Sequence, residues 1–302
     1  MLKVSRIRVR SLDVDFMELT WEIDDTIEDV LDFQFEILRS ESAAGPWDKI
    51  SPPFKDRFIF YDRFTQPFHT DRSLFYIIRV THLPTGDFED FGPEQQEAEA
   101  DLIAKELRRH ISLLLREHTG RRCWLLPIRT FGQRCKTCWH PVLNKRMKSG
   151  CTACFDTSFT RGFLHPIEVF AQIDPQDAKM EQQTPAGSNT QPRNTTAIMP
   201  NIGNVKPRDI LVEAENIRWR VVRVNQTEQV RSPIHFQLTL HRIPQSDIEY
   251  NIPLQMDMAL KDMWLSPSRN FTNPHNLENF EDEEIPKVFS LYGSSYPDPE
   301  AK

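Results

Sequence analysis

Four cysteines near the middle of the chain carry its strongest chemical signal. Cys135 and Cys138 form one CxxC pair, Cys151 and Cys154 form a second, and twelve residues separate the pairs. A CxxC turn brings two thiolates to one side of a tight knuckle. Two facing knuckles supply the tetrahedral sulfur shell that Zn2+ accepts at about 2.3 Å per sulfur. Lys136, Lys145, Arg146 and Lys148 surround the pairs. Neighbouring cations lower thiol pKa values and offset the excess negative charge of a four-thiolate zinc centre, so composition agrees with spacing. A pair of disulfides, or a redox-active CxxC, is the alternative reading of the same residues. A redox CxxC opens a helix after a strand, whereas Cys135 follows Phe131-Gly132-Gln133 and Cys151 follows Ser149-Gly150, which read as two matching turns. The expectation is a Zn2+ held by Cys135, Cys138, Cys151 and Cys154, structural rather than catalytic because protein fills all four positions. Cys123, in the apolar run Cys123-Trp124-Leu125-Leu126, reads as a buried free thiol.

Such a centre needs folded elements around it and a reducing compartment. A length of 302 residues suggests two to three domains, and 39% apolar content suffices for cores. No stretch approaches the roughly 20 apolar residues of a membrane helix. Met1-Leu2-Lys3-Val4-Ser5-Arg6 lacks an apolar signal segment, so the expectation is synthesis in a cytoplasm, with no membrane partner. Charge is uneven. Residues 121–170 hold nine Lys/Arg against Asp156 and Glu168, a local +7 in a chain of net −7, which leaves −14 for the remainder. That asymmetry points to a partner with an anionic face near the cysteines, with DNA among the candidates, or to association of acidic with basic surfaces.

The fold class expected is mainly β and multi-domain. Residues 1–92 alternate as short strands, at Ile7-Val9, Met17-Ile23, Phe33-Arg39, Phe58-Tyr61 and Leu74-Val80, punctuated by Pro46, Pro52-Pro53, Pro67 and Pro84-Thr85-Gly86. The runs Leu19-Thr20-Trp21-Glu22, Phe35-Glu36-Ile37-Leu38-Arg39-Ser40, Gly45-Pro46-Trp47 and Tyr76-Ile77-Ile78-Arg79-Val80 resemble a fibronectin type III domain. The resemblance implies a β-sandwich with Trp21 and Tyr76 in its core and no active site of its own. Gly92-Pro93 then predicts a linking helix over 93–120, with Leu102, Ile103, Leu107, Ile111, Leu114 and Leu115 as a buried stripe or an intersubunit face, and Gly120 as its stop. A zinc module over 121–165 follows. Residues 166–250 read as a small β-barrel carrying a polar arm, 174–206, that orders only on a partner. The final stretch, 251–302, reads as an extended tail with Trp264, Phe271, Phe280 and Phe289 as anchors for another surface, interrupted by the acidic run Glu281-Asp282-Glu283-Glu284.

The segments Pro207-Arg208-Asp209-Ile210-Leu211-Val212 and Ile217-Arg218-Trp219-Arg220-Val221-Val222-Arg223-Val224, with a strand ending at Arg242-Ile243-Pro244, are similar to the small barrels of tailed-bacteriophage head-closure and neck proteins. That resemblance implies Asp209 before a strand, Trp219 packing the barrel, and an arm that reaches a neighbouring subunit. No phosphate loop, GxSxG, HExxH or paired-carboxylate signature is present. Three readings compete. The first is a non-enzymatic virion protein of the neck or head–tail connector, made in the host cytoplasm, forming a homo-oligomeric ring with other virion proteins such as portal or tail components. The second is a zinc-ribbon nucleic-acid-binding protein, touching DNA through the basic residues of 121–170. The third is a hydrolase with an accessory fibronectin-like domain.

Overall fold

Alternation of apolar and polar residues builds two strand layers at the N-terminal end. In a computed structural model, the chain is described over residues 2–11, 17–26, 28–62, 74–96, 101–174, 194–202, 204–213, 216–229 and 232–254. Strands β1 (Val4–Ser11), β2 (Met17–Ile23) and β5 (Ile59–Asp62) form one antiparallel sheet. The second sheet has the order β4-β3-β6-β7, from β3 (Phe33–Ser40), β4 (Asp48–Lys49), β6 (Phe75–His82) and β7 (Phe88–Gln95). Leu19 and Trp21 from one sheet meet Phe33, Phe35, Tyr76 and Ile78 from the other in a single core. Trp21 lies 6.0 Å from both the Phe35 and Phe54 rings, and the Tyr76 hydroxyl donates to Asp62 Oδ2 at 3.0 Å.

β7 departs from the sequence expectation. Pro93, read as the first residue of a helix, lies inside this edge strand. Gly92 has φ 123° opposite a register shift between Tyr76 and Ile78, and a Cβ there would sit 2.8 Å from the Tyr76 carbonyl oxygen. An edge strand leaves donors unpaired on one side, which is where proline is tolerated. The helix α1 therefore begins later, spanning Leu102–Leu114, and continues through a wider turn, Leu115–Thr119, to Gly120.

A closed six-stranded barrel follows, in the order β11-β12-β15-β14-β13-β8. Its strands are β8 (Arg121–Leu126), β11 (Ile167–Ile173), β12 (Asn194–Pro200), β13 (Ile210–Val212), β14 (Arg218–Gln229) and β15 (Ser232–Arg242). Closure satisfies every strand edge, and alternate side chains such as Cys123, Val169, Ala197, Leu211 and Leu238 fill the interior. Asp209 is buried at the start of β13, accepting from the amides of Ile128 at 2.8 Å and Lys206 at 2.7 Å. Trp219 packs into the barrel core and donates from Nε1 to Glu213 at 3.2 Å.

Two expectations change here. Part of the supposed arm, Asn194–Pro200, is a barrel strand, because Thr195, Ala197 and Met199 alternate inward despite the polar composition; residues 175–193 lie outside the described residues. Of the expected apolar stripe, Leu115 is buried and Ile111 half-buried, but the other four residues do not form the inner face. The helix packs against β12 and β15 with Ala104, Lys105 and Arg108, while Leu102, Ile103, Leu107 and Leu114 stand in solvent. Arg108 takes the inner position because its guanidinium donates to the Pro233 carbonyl at 2.5 Å and the Ser11 carbonyl at 2.6 Å. The tail anchors Trp264, Phe271, Phe280 and Phe289 lie outside the described residues. No helix among the described residues is long and apolar enough to cross a membrane.

Candidate metal centre

The barrel reaches the four cysteines through one excursion, residues 127–166, leaving after β8 and returning at β11. It runs out and back as a ribbon, with antiparallel bridges Ile128–Phe163 and Arg134–Phe159, and ends in the hairpin of β9 (Trp139–His140) and β10 (Lys145–Arg146). The first knuckle is closed by backbone bonds from Trp139 N to the Cys135 carbonyl at 3.0 Å and from Met147 N to the Cys138 carbonyl at 2.8 Å. The second is closed by Thr157, whose amide and hydroxyl both donate to the Cys154 carbonyl, at 3.0 and 2.8 Å.

Asp156 locks the second knuckle from outside. Its carboxylate accepts from the amides of Gly150 at 3.1 Å and Cys151 at 3.0 Å, and Arg146 lies at 3.4 Å. Burial opposes the charge, yet the two amides and the nearby Arg146 and Arg208 hold this carboxyl below its ordinary range. The chain then turns through Gly162 at φ 71°, where a Cβ would lie 2.5 Å from the Cys154 carbonyl oxygen. Both the space and the left-handed backbone call for glycine.

All four sulfurs converge. Their Sγ atoms lie within 4.8 Å of one another, every one on a buried residue. The Cys135–Cys151 separation is 4.0 Å and the Cys138–Cys154 separation 3.4 Å. A tetrahedral shell with about 2.3 Å bonds has sulfur–sulfur edges of about 3.8 Å, whereas a disulfide requires about 2.05 Å. The cysteines are free thiols, so the disulfide alternative does not describe this site. Burial raises the Cys138 thiol, reinforced by its Cys154 and Cys135 neighbours, and burial likewise raises Cys154. Cys151 is held down against burial by the amides of Ala153 and Cys154. The donor set is thus four crowded sulfurs, one of them with its thiol held below the ordinary range, which fits a soft tetrahedral cation. Four cysteine donors would complete the tetrahedral shell of such a cation. Cys123 lies apart in the barrel core, where burial pushes its thiol up to about 12.

The module is anchored to the sandwich by charges that local sequence patterns do not reveal. Arg129, 2% exposed, donates to Asp56 Oδ1 at 2.7 Å; Arg161 pairs with the other oxygen of Asp56 and with Asp29 at 2.6 Å. Arg134 pairs with Asp25 at 2.7 Å and stacks over Trp139 and Phe159 at 4.3 and 4.2 Å. Phe131 inserts into the sandwich core edge-on to Phe58, centroids 4.8 Å apart.

These pairs redistribute the +7 of residues 121–170. Arg121 and Arg122 are matched by Glu213 and Glu168, and Arg146 by Asp156. Of the nine cations, only Lys136, Lys145 and Lys148 are both exposed and without a described carboxylate partner. All three belong to the knuckles and the β9–β10 hairpin. Comparison with protein-family models, with curated proteins and with solved structures finds no match to this chain.

Proposed function

We propose that this chain is a non-enzymatic assembly protein, a ring-forming subunit of a tailed-phage neck or head–tail connector, in which Zn2+ bound by Cys135, Cys138, Cys151 and Cys154 fixes the excursion that ties barrel to sandwich. The observation that carries the reading is the apolar face of α1, with Leu102, Ile103, Leu107 and Leu114 between 37% and 63% exposed on a helix already seated on the barrel. A contiguous apolar stripe on a rigid element is suited to packing against a neighbouring subunit. The closed barrel supports the likeness to neck proteins, and the strand orders β1-β2-β5 and β4-β3-β6-β7 support a fibronectin-like sandwich. A four-thiolate centre supplies rigidity rather than chemistry.

Electron microscopy and native mass spectrometry of the full chain test this reading. Closed rings are expected for the wild type, and a folded, zinc-loaded monomer for Ile103→Glu/Leu107→Glu. A wild-type chain that stays monomeric with and without portal or tail proteins overturns it.

A further inference from the structure

The outer end of the zinc module carries an unusual surface. Every residue from Pro141 to Gly150 is exposed; the hairpin turn presents Val142 at 86% and Leu143 at 53% exposure, and Met147, just after β10, is 58% exposed. Lys145 and Lys148 flank these apolar side chains along the chain, and Lys136 is exposed on the first knuckle, none with a described carboxylate opposite it, while Arg146 is turned back onto Asp156, donating to its carbonyl at 2.9 Å. The tip is held in place from behind. β9 and β10 pair Trp139 with Arg146 and His140 with Lys145, Asn144 takes the left-handed turn at φ 48°, and Leu143 N donates to His140 Nδ1 at 3.2 Å.

We infer that this cationic, apolar-tipped finger docks the acidic segment 277–291 of a second copy of the chain. That segment reads Leu277-Glu278-Asn279-Phe280-Glu281-Asp282-Glu283-Glu284-Ile285-Pro286-Lys287-Val288-Phe289-Ser290-Leu291. Five carboxylates against one lysine give it a charge of −4, set among Leu277, Phe280, Ile285 and Phe289. The complementarity is double, since lysines meet carboxylates and exposed apolar tips meet apolar anchors. Electrostatic complementarity of this kind sets register and association rate, and buried aromatics supply most of the affinity. Nucleic acid would satisfy the lysines but leave Val142, Leu143 and Met147 in water, so the apolar half of the tip selects protein. The inference deepens the assembly reading and rests on it for the second copy.

Zero-length carbodiimide coupling of the full chain, read by mass spectrometry on an equal mixture of light and 15N chains, tests the contact. Mixed-isotope cross-links from Lys145 and Lys148 to the carboxylates of 278–284 are expected, weakened at least severalfold when salt is raised from about 0.05 to about 0.5 M and screening shortens to a few Å. Lys145→Glu/Lys148→Glu should remove them, and Val142→Ser/Leu143→Ser should lower their yield while leaving the lysines in place. One zinc per chain in each variant shows that the module is intact. Cross-links found only within single chains, cross-links unchanged by Val142→Ser/Leu143→Ser, or salt-dependent binding of a DNA duplex that Lys145→Glu/Lys148→Glu abolishes in the absence of mixed cross-links would each overturn the inference. Rings that form without the cross-links remove the finger contact and leave the helix-face interface standing.

Discussion

Asp56→Ala should be among the most damaging single substitutions in the chain, although Asp56 touches neither a cysteine nor the barrel core. Its two oxygens serve Arg129 and Arg161, and Arg129 is 2% exposed beneath Phe58, with its guanidinium 5.8 Å from that ring. Removing the carboxylate strands the Arg129 charge out of water. Breaking a buried pair from one side costs about 3 to 5 kcal/mol. Arg161 keeps Asp29 and is a third exposed, so its share after solvent screening is about 0 to 1 kcal/mol. With a urea slope of about 2 to 3 kcal/mol per M, the total moves the unfolding midpoint down by about 1 to 3 M, read by tryptophan fluorescence. Asp56→Asn combined with Arg129→Met should recover most of the loss, because both buried charges are removed and asparagine tolerates the left-handed backbone of Asp56, φ 51°. A midpoint shift below about 0.3 M for Asp56→Ala would refute the argument that this pair joins excursion to sandwich.

Three further outcomes follow from the same geometry. Thiol titration should find no rapidly reacting cysteine in the metal-loaded chain, four after chelation and five after unfolding, since burial pushes Cys123 up to about 12; labelling of Cys123 in the native chain contradicts its placement. Gly162→Ala should weaken metal binding at least tenfold in a competition assay with a chromogenic chelator, because the new Cβ meets the Cys154 carbonyl oxygen, whereas Gly86→Ala, at φ 77° with nothing within 4 Å, should cost only the left-handed strain of about 1 to 2 kcal/mol and leave metal affinity unchanged. Burial raises Asp209 to about 7 against the pull of two amides, so its neutral form favours the folded chain: that contribution is full below the unfolded value of about 3.9 and is lost as pH rises through about 7. The stability of the wild type relative to Asp209→Asn should therefore fall from pH 4 to 7.5, and a difference independent of pH contradicts the shift.

The cysteine cluster was legible because its signal is local: two short spacings fix which sulfurs can meet. The cores of β2, β3 and β6 were legible for a similar reason, since Leu19, Trp21, Phe35, Ile37, Tyr76 and Ile78 alternate at strand period. β7 was not, because an edge strand exposed on nearly every residue carries no alternation, and Pro93 mimics a helix start. β12 was hidden by inward residues that are small or hydroxylated, Thr195 and Ala197. The orientation of α1 departs from the buried-stripe expectation because the carbonyls of Pro233 and Ser11 accept from Arg108 and hold it on the inner face, a demand set by residues 125 and 97 positions away. The same holds at the metal centre. The ligands follow from spacing, but Asp56 meets Arg129 and Arg161 across 73 and 105 residues, and no local pattern marks that pairing.

A closed, structural zinc centre is the claim on which the account turns, and X-ray absorption at the zinc edge tests it most directly. The full chain purified without added metal should carry one zinc per polypeptide, with a single shell of four sulfurs at about 2.3 Å and no nitrogen or oxygen scatterer. A shell with an oxygen or nitrogen ligand, or a chain with far less than one zinc and intact thiols, would contradict it.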